Sequence, residues 1–214
     1  MRQEARCVLT MLITLSAGLG CASNTEWWPG KGLPFYDSVE FTPRWSSTVE
    51  HTIGDFSLVT QTGDAITRDD LRGRLHVASF IFTSCNVICP TLVTQLSKVQ
   101  DAVAHRDDVL LVSYSVAPPY DSVAVLNEFG SDRGINPDRW KLVTGDEQTI
   151  HRLARNSYFA DDGRLDGSQT SADLFLHTEE VLLVDENGRL RGVYNGSLSF
   201  EIEKLIADIV LLTM

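Results

Sequence analysis

Two stretches of this chain, "LHVASFIF" at residues 75–82 and "VLLVSYSV" at residues 109–116, are nearly continuous apolar runs. Such runs suit strands buried on both faces, which requires helices on both sides of one sheet. Between them Leu92, Leu96, Val99 and Val103 recur at helical spacing, predicting an amphipathic helix that ends near His105. The rest of the chain from His51 continues the alternation. "FSLVT" and "AITR" flank the turn "QTGD" as a small hairpin, and "DSVAVLNEFGSD" reads as a helix capped by Asp121 or Ser122. "WKLV" is a short strand before the helix "DEQTIHRLARNS", and residues 157–176 are polar and irregular. "EEVLLVD" and "RLRGVY" form a hairpin whose turn carries Asn187-Gly188, and apolar residues between Ile202 and Val210 mark a closing helix. The fold class is α/β, a central mixed sheet with helices on both faces, in one domain of residues 51–214.

The N-terminus prepares this domain for export. Arg2 and Arg6 precede a short apolar run that ends in "SAGLGCASN", which makes residues 1–21 a signal peptide. Cys21 stands where a bacterial lipoprotein signal places its lipidated cysteine, although Gly18 replaces the usual leucine; ordinary cleavage after Ala22 is the alternative. The protein is thus expected outside the cytoplasmic membrane, periplasmic and lipid-anchored through Cys21. Residues 22–50 form a tether and an aromatic arm, too rich in tryptophan, phenylalanine and tyrosine for a free linker. They are expected to pack on the domain. A formal net charge of −11 argues against a nucleic-acid surface.

Export also reduces the cysteine inventory. Cys7 is removed and Cys21 removed or capped, leaving Cys85 and Cys89 in "FIFTSCNVICPTL". Two thiols in an oxidising compartment form a disulfide or a site kept reduced by a thioredoxin-like reductant. Pro90 is tolerated at the first position of a helix, so the helix begins near Cys89 and Cys85 stays in the preceding loop. Both sulfurs then lie at a helix N-terminus, whose partial positive charge favours thiolate. Strand, loop, cysteine pair and helix make a thioredoxin-like arrangement with a loop one residue longer. Two thiolates with an imidazole would suit Cu(I), and also hold Cu(II). Of the five histidines, His76 and His105 read as structural or solvated, His51 is in the arm and His151 on an amphipathic helix. His177 sits in a loop just before a core strand.

From about residue 33 to 212 the chain resembles the Sco/SenC family of copper-binding thioredoxin-fold proteins. The resemblance rests on "FIFTSCNVICPTL", "VSYSVAPPYDSVAVLNEFG", "RWKLVTGDEQTIHRLARNSY" and "LFLHTEEVLLVDENGRLRGVYNG", with "LPFYDSVEFTPRW" resembling the lead-in of some bacterial members. It implies one copper ion held by Cys85, Cys89 and His177, delivered to the dinuclear copper centre of a haem–copper respiratory oxidase. The partner would be the oxidase subunit that carries that centre. "FLHTEE" lacks the cis-proline of many thioredoxin-fold reductases, which favours metal over general disulfide exchange. One departure is Ala117-Pro118, where family members often have Asp-Pro near the copper; Asp121 is a candidate to supply that carboxylate. The alternative function is an exported thiol–disulfide oxidoreductase, with Cys85 attacking and Cys89 resolving.

Overall fold

The computed structural model describes residues 32–46, 48–85, 89–160 and 179–213. The element order is β1 (Ser57–Thr60), β2 (Ala65–Thr67), α1 (Arg68–Leu71), β3 (Leu75–Ile81), α2 (Cys89–Ala102), β4 (Val109–Ser115), α3 (Val123–Asp132), β5 (Trp140–Thr144), α4 (Glu147–Arg152), β6 (Glu180–Val184), β7 (Leu190–Asn195) and α5 (Ser199–Leu212). Seven strands form one sheet in the order β2-β1-β5-β4-β3-β6-β7. The central strands β3, β4 and β5 run parallel, and β1, β6 and β7 add antiparallel neighbours.

Every residue of β3 and β4 is buried, as the two apolar runs require. Side chains alternate across a strand, so the two faces feed two cores. Leu75, Val77 and Ile81 meet Leu92, Leu96 and Val99 of α2, Leu126 of α3, and Ile202, Leu205 and Ile209 of α5. Ala78 and Phe80 point the other way, toward Tyr114, Ile150, Leu153 and Tyr158. α2 begins at Cys89, beside Pro90, and stops at Ala102 rather than His105. Its last turn tightens, with Ala104 and Arg106 donating to Asp101 and Val103. Ser122 caps α3 by accepting from the Val125 N–H, which leaves Asp121 for other work. After α4 the chain widens into a π-turn at Leu153–Ser157. The four-residue α1 has no periodic signal in the sequence.

The arm is tied to the far edge of the sheet. Phe35 exchanges backbone hydrogen bonds with Arg44, and the Tyr36 N–H donates to Leu190 O. Phe35 is buried, and the Arg191 guanidinium lies 4.0 Å from its ring centroid. Arg191 also donates to the carbonyls of Leu33 and Pro34, 2.6 and 3.0 Å away.

On the second core face His76 is wholly buried, its Nε2 3.0 Å from the Tyr158 hydroxyl. Burial pushes its pKa down to about 3, against a weak upward pull from Asp185. The unfolded chain binds the proton near pH 6.5 and the folded chain only near 3, so stability is complete above 6.5. It falls as the pH drops through that window, by up to about tenfold in the unfolding constant per pH unit. Urea unfolding at pH 7.5, 6 and 5 should show this slope, and His76→Phe should flatten it.

Candidate metal centre

The site begins where β3 runs out. Phe82 to Cys85 make a turn closed by the Cys85 N–H donating to Phe82 O at 3.2 Å. The first residue of α2 is Cys89, and its N–H donates to the Cys85 sulfur at 3.4 Å. The two cysteines are not joined in a disulfide, and both are only 7% exposed. The helix N-terminus thus spends one of its unpaired donors on Cys85.

Cys89 departs from the expectation of an eased thiolate. Its pKa is pushed up to about 12, first by burial, with further upward pressure from Cys85 and from the charge of Asp121. A hydrogen bond at Phe82 opposes the rise without cancelling it. The physical reason is that the Cys89 side chain faces the core that contains Leu92, Val93 and Ile81. Loss of water there outweighs the helix terminus. The two cysteines share that core and the same low exposure, and differ in that the Cys85 sulfur has the Cys89 N–H aimed at it.

Asp121 lies beneath the same loop, 1% exposed. Its Oδ2 accepts from the Thr83 N–H at 3.1 Å and from the Ser115 hydroxyl at 2.6 Å, and its Oδ1 from the Thr83 hydroxyl. Ala117 supplies no carboxylate, but the loop that follows it returns Asp121 to this point. Asp121 is a candidate in the sequence, whereas Thr83 and Ser115 are not. Each is a small hydroxyl beside a strand end, and nothing local in the sequence pairs either with Asp121.

The other histidines have local roles. His51 Nε2 lies 2.9 Å from Ser157 O, and His151 sits 3.6 Å from Glu147 on α4. Among the described residues no group of three or more His, Cys, Asp or Glu side chains is placed to hold a metal ion. His177 and Cys21 lie outside the described residues.

A family model described as SCO1/SenC matches residues 46–213. The SCO1 protein homolog of Bacillus subtilis (strain 168) is 28% identical over 163 residues, 75% of this chain and 82% of that protein. The solved structure of BsSco, described as a member of the Sco family of cytochrome c oxidase assembly proteins with a disulfide switch, superposes with a TM-score of 0.64. It is 26% identical and covers 77% of this chain and 95% of that one. Bradyrhizobium japonicum ScoI, solved with copper bound, gives a TM-score of 0.58 at 26% identity, over 74% of this chain and 98% of that one. The mixed sheet, the cysteine pair at the start of α2 and a match through nearly all of the folded region agree: the fold is thioredoxin-like, and the chain belongs to the SCO1/SenC family.

Proposed function

We propose that this protein is a copper chaperone that binds one copper ion through Cys85, Cys89 and His177 and delivers it to the dinuclear copper centre of a respiratory oxidase. The observation that carries this reading is the pair of cysteines at the α2 terminus, not joined in a disulfide and close enough for the Cys89 N–H to donate to the Cys85 sulfur. Two soft sulfur donors suit copper in its reduced form. They need a third donor, and the described residues offer no three-residue cluster around them. His177, two positions before the described segment that begins at 179, is the donor this reading names. Copper in the Bradyrhizobium relative and the oxidase-assembly family of BsSco support the cargo and the recipient. The protein works at the outer side of the cytoplasmic membrane, held by lipid on Cys21 and kept reduced by a thioredoxin-like partner.

The asymmetry of the pair favours one second reading, thiol–disulfide exchange with Cys85 attacking. The Cys89 N–H is aimed at the Cys85 sulfur, which would attack, while Cys89, its thiol pushed up by burial, would resolve the mixed disulfide. His177 separates the two readings, because exchange does not need it. An anaerobic Cu(I) titration of reduced protein against a competing chelator should show one copper per chain, and His177→Ala should weaken it by more than about tenfold. Binding indifferent to His177 would transfer the assignment to disulfide exchange.

A further inference from the structure

We propose that the groove between the aromatic arm and α5 is closed by a segment of this same chain, with the Trp28 indole in the groove and the Glu26 carboxylate on Lys204.

The groove has a volume of about 300 Å³, at the low end of the range that encloses a ligand. Its floor is Gly192 and Tyr194 of β7. Its walls are Tyr36 and Trp45 of the arm on one side, and Lys204 and Asp208 of α5 on the other. A side chain at Gly192 would collide with the Tyr194 ring, so the glycine lets that ring lie along the strand. The Tyr194 hydroxyl donates to Asp208 at 2.8 Å, which engages the one acid of the lining. Of the two cations, Arg191 is spent on Asp185 and on the carbonyls of Leu33 and Pro34. Lys204 forms no ion pair among the described residues, and its Nζ lies 5.6 Å from the Tyr194 ring centroid. The groove thus presents three aromatic rings and an ammonium, a surface for an aromatic side chain with a carboxylate beside it.

The chain itself carries that chemistry at the right place. Gly32 lines the groove, and its φ of 54° turns the backbone there. The sequence directly before it, Glu26-Trp27-Trp28-Pro29-Gly30-Lys31, lies outside the described residues. Pro29-Gly30 is the central pair that a type II turn prefers, and such a turn holds the Cα atoms of Trp28 and Lys31 within about 7 Å. Trp28 precedes a proline and so favours extended backbone. In an extended run alternate side chains share a face, so Glu26 and Trp28 meet the groove together while Trp27 faces away. A segment tethered this closely acts at an effective concentration in about the millimolar range, which a separate partner does not match. Docking shortens the free tether after Cys21 from residues 22–31 to residues 22–25, a reach of about 14 Å instead of about 35 Å. That consequence alone rests on the lipid anchor proposed above.

The test uses the mature chain, residues 22–214, labelled with 5-fluorotryptophan, its four signals assigned by single substitutions such as Trp28→Phe. The fluorine shift between water and D2O reads the exposure of each ring. Trp28 should respond no more than the fully buried Trp140, and Trp27 at least as strongly as the 37% exposed Trp45. Tryptic cleavage after Lys31 is the second readout. Trp28→Ala should speed it by more than about tenfold, and Lys204→Glu, at an exposed position of α5, by about fivefold. Trp27→Ala should leave it within about twofold. A Trp28 signal as solvent-sensitive as free indole overturns the proposal and gives the groove to an outside partner. Burial of Trp27 in place of Trp28 overturns the register, and cleavage indifferent to Lys204→Glu overturns the site. Protection that fades on dilution overturns closure within one chain in favour of a second copy. None of these readouts involves copper, so their failure is distinct from failure of the copper reading.

Discussion

In reduced protein, Cys89→Ser should cut Cu(I) affinity by more than about a hundredfold, beyond what loss of an outer-shell group causes. Serine nearly reproduces the shape of cysteine, so the core around Leu92 and Val93 stays packed and the loss reports the missing sulfur. Cys85→Ser should do the same. A pH series adds a signature that simple adsorption of copper lacks. The metal needs a thiolate at Cys89, yet in the free protein burial holds that thiol protonated, with its pKa pushed up to about 12. Each copper bound must therefore expel at least one proton from Cys89. Below about pH 12 the apparent affinity rises with pH, by about tenfold per unit for that proton. Competition titrations at pH 6.5, 7.5 and 8.5 measure the slope, and pH-independent binding would show that Cys89 is not a ligand.

The features that are legible in the sequence are those written in local order. The apolar runs of β3 and β4, the stripe of α2 and the proline that starts it all depend on neighbours a few positions apart. Together they place Cys85 in a loop and Cys89 on a helix. Long-range burial is not legible. Nothing near Cys89 in the chain announces that its sulfur faces a core completed by α5, about a hundred residues later. The expectation of an eased thiolate fails at Cys89 for that reason. The grip of Asp121 on Thr83 spans 38 positions, and in sequence Asp121 reads equally well as a helix cap. The aromatic arm is visibly too apolar to be free, but its partner, the guanidinium of Arg191, does not stand out among the 18 lysines and arginines.

That partner gives the second large expected effect. Asp185→Ala should destabilise the fold by about 3–5 kcal/mol, the usual result of stranding a buried charge. The Asp185 side chain is 1% exposed and faces Arg191, 5% exposed, at 3.2 Å and Arg189 at 3.0 Å. It also accepts from the backbone N–H groups of Asn187 and Arg189, which shapes the β6–β7 turn around Gly188 and its positive φ of 80°. Without the carboxylate, two guanidiniums remain side by side, and Arg191 loses the charge that lets it hold Leu33, Pro34 and the Phe35 ring. Urea unfolding should show a lower midpoint at unchanged slope, and limited proteolysis should open the arm between Tyr36 and Arg44. The double variant Asp185→Leu/Arg191→Met should recover part of the loss, because it removes both buried charges and leaves only Arg189, whose side chain is 22% exposed. If Asp185→Ala costs less than about 1 kcal/mol, the cluster behaves as a surface pair and the arm is held by its backbone bonds and by Phe35 alone. Copper stoichiometry of the folded Asp185→Ala protein should be unchanged, since none of its contacts reaches the cysteine loop. A loss of copper there would instead mean that the arm and the metal site form one cooperative unit.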